Sequence, residues 1–169
     1  ARKISGSYYT HDSLVQLLLD SALEPLISEK LAGHPSGEGA VAALLSITIV
    51  DPACGSGHFL LAAARRIATH LARIDAETRG SGQPTPDDYR HALRRAVTHC
   101  VFGVDMNPMA VELCKTALWL ETMDKGRPLS FLDAHIRCGN ALIGVHDLAV
   151  LRKGVPSEAY GALKDVLAE

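Results

Sequence analysis

The chain has 169 residues, 47% of them apolar and 21% charged, with a net charge of −2. That is enough chain and enough apolar side chain for one packed domain, and it excludes a disordered segment. No apolar run is long enough to span a bilayer, and the start, Ala1-Arg2-Lys3-Ile4-Ser5-Gly6, lacks the apolar core of a secretory signal. No membrane association is therefore expected, and a cytoplasmic location is. The cysteines, Cys54, Cys100, Cys114 and Cys138, are scattered without a Cys-x-x-Cys pair, which suits reduced thiols there.

Residues 1–46 read as an N-terminal helical segment. Its polar start ends in Gly6-Ser7-Tyr8-Tyr9-Thr10. A helical pattern follows, with Leu14, Leu17, Leu18 and Ala22 on one face, widened by Val15 and Leu19. Thr10 or Asp12 can cap it. Pro25 should kink it or begin a second helix through Leu31. Gly33 to Gly39 reads as a loop, and Ala40 to Leu45 has the length of one or two helical turns.

Residues 47–147 read as an α/β core, a partial parallel sheet flanked by helices. Ile47 to Val50 is a β-branched run, the composition of a buried strand. A helix from about His58 to Thr78 buries Leu60, Leu61, Ala64, Ile67, Ala68, Leu71 and Ile74, leaving Arg65, Arg66 and Arg73 largely on solvent. Thr85-Pro86-Asp87-Asp88 is a helix start: cap, proline at the first position, acids in the first turn. That helix ends near His99. Cys100 to Val104 is the second strand, ended by Asp105. Asn107-Pro108 begins the next helix, Met109 to Met123, with Ala110, Leu113, Ala117 and Leu120 inward, Trp119 in the core, and Gly126 as the stop. Ile136 to Cys138 is a third strand. Residues 148–169 form a helical C-terminal tail, amphipathic from Ser157 to Leu167.

The chain is organised around Ile47 to Leu60. Strand, acid (Asp51), small-residue loop and helix make the ligand-binding corner of an open α/β sheet, outside the carboxyl ends of the strands. Gly55 and Gly57 let the backbone approach a ligand, and the first helix amides point into the same space. A bare Gly-x-Gly is common in tight turns, and the third glycine of the dinucleotide fingerprint is replaced by Leu60.

The run Asp51-Pro52-Ala53-Cys54-Gly55-Ser56-Gly57-His58 is more specific. It resembles motif I of the S-adenosylmethionine-dependent DNA adenine methyltransferases, above all those of restriction–modification and phage defence. The resemblance implies a Rossmann-like methyltransferase fold with S-adenosylmethionine as cofactor. It implies cofactor contacts for the whole loop, Asp51, Pro52, Ala53, Cys54, Gly55, Ser56 and Gly57. Physical chemistry agrees at Asp51. The cofactor carries two positive groups that a carboxylate suits, whereas an acid there would repel a dinucleotide pyrophosphate.

Asp105 ends the second strand, where a carboxylate can accept both hydroxyls of a ribose; its alternative role is to cap the next helix. Gly103-Val104-Asp105-Met106-Asn107 resembles the family's second motif, which implies Asp105 on the ribose and Met106 against the adenine. Gly139-Asn140-Ala141-Leu142 resembles the third, which implies Asn140 and Ala141 beside the adenine edge; the alternative is an ordinary Gly-Asn turn. The Tyr8-Tyr9-Thr10 segment resembles the N-terminal motif, usually Tyr-Thr-Pro, and implies Tyr9 and Thr10 at the methionine part of the cofactor. Here His11 stands where proline would have fixed φ. A tyrosine pair packing on the domain edge is the alternative.

The eight histidines form no metal-ligand set; His70, His91 and His99 read as helix-surface residues, and His58 as a solvated or capping residue by the loop. No catalytic residue is identified. The family's fourth motif, Asn or Asp followed by Pro-Pro and Tyr or Phe, does not occur in these residues; Asn107-Pro108 is followed by Met109. The chain thus reads as the cofactor-binding part of a larger enzyme, inactive alone. DNA is expected as a partner through regions outside this chain, because no basic stripe is present here. By resemblance the strand order is third, second, first, which leaves Ile47 to Val50 as an unprotected edge open to self-association. A non-catalytic S-adenosylmethionine-binding module and a small-molecule methyltransferase are the alternative functions.

Overall fold

Three short parallel strands form one sheet in the order β1-β2-β3. They are Ile49–Asp51 (β1), Val101–Asp105 (β2) and Ile136–Cys138 (β3). The structure, a computed structural model, describes residues 10–123, 132–143 and 149. Val50 pairs with Phe102, and Val104 with Arg137. Parallel neighbours need crossovers, and helices supply them. His58–Thr78 (α4) and Pro86–Cys100 (α5) lead from β1 to β2. Pro108–Glu121 (α6) and the single turn Leu132–His135 (α7) lie between β2 and β3. The outcome is the expected Rossmann-like arrangement, a small parallel sheet among helices with a helical N-terminus.

That N-terminus comprises Asp12–Leu18 (α1), a π-helical turn Leu19–Leu23, Glu24–Gly33 (α2) and Gly37–Leu45 (α3). Of the two outcomes expected at Pro25, a kink or a second helix, the second helix is present: α2 carries the proline in its first turn, directly after this π turn. Proline cannot donate to the preceding turn, and the wider turn, with the Glu24 amide bonded back to the Leu19 carbonyl, absorbs the mismatch. His11 rather than Thr10 or Asp12 caps α1, its Nδ1 accepting from the Ser13 amide at 3.3 Å. Its φ is −62°, the value a proline would impose.

One core joins the N-terminal helices to the sheet. Val15, Leu19, Leu23, Ile27, Ala40 and Leu44 are its N-terminal contribution. The stripe expected on α1 is therefore displaced: Leu14, Leu17 and Leu18 are exposed. Apolar residues nearly encircle this segment, so periodicity alone does not choose the face. Arg66 helps to choose it. Expected on solvent, its guanidinium instead reaches Asp20 (2.7 Å), Glu24 (3.0 Å) and Gln16 (3.0 Å), clamping the N-terminal segment to α4. His70, also expected on the surface, sits 2.9 Å from Glu24 in the same cluster.

α4 spans the expected residues and buries the expected face, with Leu61 only half-buried. α5 begins with a full capping box between Thr85 and Asp88. The Arg79 guanidinium and the Thr85 amide hold the Asp88 carboxyl well below the usual carboxylate range. Cys100, expected in β2, is the last residue of α5, fully buried with its thiol toward the Leu44 carbonyl. Burial pushes it up to about 12. β1 begins two residues later than expected, because the Ile47 amide still bonds the Leu44 carbonyl at the end of α3. The helix stop expected at Gly126 and the tail 148–169, apart from Ala149, lie outside the described residues.

Candidate functional site

The carboxyl ends of the three strands carry the expected residues to one side. β1 delivers Asp51 to the start of the loop. The Asp51 Oδ1 accepts from the Ala53 amide at 3.0 Å, turning the chain through the exposed Pro52 and Ala53. The Cys54 amide then donates to the Val104 carbonyl at 3.0 Å, laying the loop across the end of β2. Gly55 has φ +53° and Gly57 φ +84°, both in the left-handed region that glycine adopts without strain. Gly57 is the N-cap of α4. Ser56, between them, is exposed.

β2 delivers Asp105, half-buried. Its Oδ2 accepts from the Gly55 amide at 2.8 Å, and its Oδ1 from the Asn107 amide at 2.8 Å. The capping of α6 falls to Asn107, whose Oδ1 accepts from the Met109 amide at 3.0 Å. Asp105 is thus a brace between two loops rather than the cap. A carboxylate has about four acceptor positions, and these two amides occupy one on each oxygen. Met106, beside it, is 68% exposed, a bare apolar side chain at the mouth of the site.

β3 delivers the third segment. The Gly139 amide bonds the Asp105 carbonyl at 2.9 Å, which fixes Asn140 next to the end of β2. Asn140 folds into an Asx turn, its Oδ1 accepting from the Leu142 amide at 2.9 Å. Its NH2 group keeps two donors. Ala141 follows, exposed. Thr10 is half-buried beside the start of α1, and Tyr9 lies outside the described residues. His58 opens α4, its Nε2 3.7 Å from Asp12.

Cys114 is a residue the sequence did not point to. α6 turns Ala110, Val111, Cys114 and Leu118 inward, while Leu113 and Leu120 are exposed and Trp119, expected in the core, is 43% exposed. The glycine loop sets this rotation. A β-carbon at Gly57 would fall 2.5 Å from the Cys114 sulfur, and one at Gly103 would fall 2.9 Å from the Cys54 sulfur. Both glycines are there so that loop, strand and helix can close together. The signal existed in Gly103, a glycine inside a strand, but nothing in it names the neighbour. The thiols of Cys54 and Cys114 share a hydrogen bond. That bond holds Cys54 below its ordinary value, against burial and the nearby Asp51 and Asp105 carboxylates, and pushes Cys114 up.

A parallel strand ending in an acid, a glycine loop and a second acid that braces it form the corner at the carboxyl ends of an open α/β sheet, the place where ligands of such sheets bind. Residues 39–143, more than half of the chain, match the family of the MmeI DNA-methyltransferase domain. The chain belongs to this family. The matched span holds every candidate site residue except Tyr9 and Thr10. Two relatives agree. One, from Methanocaldococcus jannaschii and named for a type II restriction enzyme and methyltransferase, is 27% identical over 82% of this chain. The other, the adenine-specific methyltransferase PglX of Streptomyces coelicolor, is 29% identical over 85% of it. This chain spans only 14% and 11% of the length of those two proteins. No solved structure matches it. Among the described residues, no helix is long and apolar enough to cross a membrane.

Proposed function

We propose that this chain is the S-adenosylmethionine-binding part of a DNA methyltransferase that methylates the exocyclic amine of adenine, in restriction–modification or phage defence. The observation that carries the reading is the Asp105 carboxylate. It is held by the Gly55 and Asn107 amides with acceptor positions to spare, which is the chemistry that a ribose with adjacent hydroxyls requires. Asp51, beside the same loop, supplies negative charge for the sulfonium and ammonium of the cofactor. The NH2 of Asn140 can donate to an adenine ring nitrogen, and the exposed Met106 can cover a ring face. Thr10 and Tyr9 are assigned to the methionine end. When bound, the cofactor supplies an electrophilic methyl group; these residues bind and orient it.

Adenine as the target rests on the relative whose name states adenine specificity. The chemistry of the target amine belongs to groups outside these residues, and so does recognition of the DNA sequence. Titration calorimetry with S-adenosylmethionine and NAD tests the reading. Binding of S-adenosylmethionine is expected in the micromolar range or weaker, about −8 kcal/mol or less favourable. Tighter binding of NAD would overturn it.

A further inference from the structure

Along the N-terminal segment Asp12, Gln16, Asp20 and Glu24 recur at every fourth residue, and along α4 His58, Arg66 and His70 fall at multiples of four. Residues so spaced share one helix face. The two faces meet. Asp12 lies 3.7 Å from the His58 Nε2. Arg66 reaches Gln16, Asp20 and Glu24, and the His70 Nε2 lies 2.9 Å from Glu24. The partners rise together in number, so the N-terminal segment and α4 run side by side in the same direction.

Arg66 and His70 secure one end of this seam, and His58 is its end at the candidate site. His58 follows Gly57, whose φ of +84° turns the glycine loop into α4. Asp12 opens α1, and the half-buried Thr10 stands just before it, across His11. The first turn of α4 carries no acid of its own, and Gly57 caps it with no side chain. Asp12 brings to its first residue the negative charge that suits a helix start. From this juxtaposition we infer that His58 is a positioning residue: through Asp12 it sets the start of α1, and Thr10 with it, against the glycine loop. The consequence for the cofactor rests on the function proposed above, which assigns Thr10 to the methionine end; the placement of α1 does not.

A separation of 3.7 Å is longer than a hydrogen bond, so the carboxylate attracts the ring electrostatically. Attraction between groups this open to water adds little to global stability. Stability of the segment has other sources: Val15 is in the core, and Arg66 holds the acids farther along. What His58 and Asp12 add is local. The first turn of α1 has only the long 3.3 Å bond to the His11 cap to fix its opening amide. Loss of the His58 contact should leave folding nearly unchanged and let the start of α1 drift from the loop. A ligand that spans both parts would then bind more weakly, and one confined to the ends of β2 and β3 would not. In the proposed function S-adenosylmethionine is the first kind, and adenosine, which meets Asp105, Met106 and Asn140, is the second.

The test uses the whole 169-residue chain as wild type, His58→Ala, Asp12→Asn and the double variant. Amide exchange reads the placement without any ligand. The peptide over α1 should exchange faster in all three variants, while the peptide over α5 keeps its rate. Calorimetry reads the site. Each single variant should bind S-adenosylmethionine about threefold more weakly or worse, and the double variant no more weakly than either. Adenosine should bind all four chains alike. Should His58→Ala fail to fold, Asp12→Asn, at an exposed position, carries the same readings. Unchanged exchange over α1 would overturn the placement. Losses that add in the double variant would show separate contacts with the cofactor, and an equal loss for adenosine would show a general loosening; either overturns the positioning role. If the wild type binds no S-adenosylmethionine while exchange over α1 responds as expected, the proposed function fails and the placement of α1 by His58 stands.

Discussion

Gly55 and Asp105, fifty residues apart in sequence, are joined by a 2.8 Å hydrogen bond from the Gly55 amide to the Asp105 carboxylate. The bond closes the glycine loop over the end of β2. It makes Asp105 responsible for the shape of the loop as well as, under the proposed function, for the ribose hydroxyls. Asp105→Ala is therefore expected to do two things. It should lower affinity for S-adenosylmethionine by about tenfold or more, roughly 1.4 kcal/mol. It should also lower stability by about 1–3 kcal/mol, since hydrogen bonds to a charged group are lost. Calorimetry and urea unfolding separate the two. Equal binding by wild type and variant would remove Asp105 from the ribose role.

Gly55 and Gly57 should respond differently to alanine. Both have positive φ, but a β-carbon at Gly55 meets nothing within 4 Å, whereas one at Gly57 meets the Cys114 sulfur at 2.5 Å. Gly55→Ala should cost about 1 kcal/mol of backbone strain. Gly57→Ala should cost more, by about 1–3 kcal/mol of overpacking. The double variant with Cys114→Ala should recover part of that excess, as contacting residues couple. Chemical denaturation of the set measures it; strict additivity would show that the clash is relieved elsewhere.

Burial of His135 makes stability depend on pH. Its ring lies 4.3 Å from that of Phe102, and its Nδ1 is 3.1 Å from the Val101 carbonyl. Burial holds it below its ordinary value, aided by the charge of His99 and opposed by the Val101 and Val97 carbonyls. Its folded value is the lower one, so the unfolded chain takes up the proton first. The stability is present above the unfolded value, about 6.5, and falls as pH drops from there through the folded value. Thermal unfolding from pH 7.5 to 5 should show a falling Tm, and His135→Phe should flatten that fall. An unchanged slope in the variant would assign it to another group.

β1 is an edge strand among the described residues, and Val50 at its centre is 62% exposed. An apolar cleft of about 420 Å³ runs beside it, lined by Leu19, Leu23, Leu26, Ile49 and Phe59. An edge that is apolar through Ile49 and Val50 up to Asp51, beside an apolar trough, is a template for pairing. The chain is expected to self-associate through it, unless the stretch Ser157 to Leu167, outside the described residues, covers it. Light scattering across concentration measures this, and Val50→Lys should shift the chain toward monomer. A monomer at high concentration with Val50 rapidly exchanging would argue that neither cover exists.

Methyl transfer by this chain alone is expected to be absent at any cofactor concentration. No Pro-Pro occurs in it, so the family's motif for holding the target amine is lacking. Orientation of a nucleophile is worth roughly 7 kcal/mol or more. A radiolabelled-methyl assay on adenine-containing DNA decides the matter, and turnover without added protein would contradict it. With a net charge of −2, no preferred site on duplex DNA is expected in a gel shift at low salt.

The sequence by itself determined the local units. Asp51 to Gly57 is a loop because proline, small residues and glycine permit nothing else so tight. Thr85-Pro86-Asp87-Asp88 starts a helix because cap, proline and acids satisfy its first amides nearby. α4 shows its buried face because its arginines leave one apolar stripe. Tertiary structure decided the rotation of each nearly all-apolar helix. α6 turned Cys114 inward, and left Trp119 half out, because Gly57 opens a gap that a sulfur fills. The N-terminal helices buried Val15 and Leu23 rather than Leu14 and Leu17, with Arg66 of α4 reaching back to their acids. Partners fifty residues away leave no period in a sequence, so the bond between Gly55 and Asp105, and the meeting of Cys54 with Cys114, became visible only when strand and helix closed on the loop.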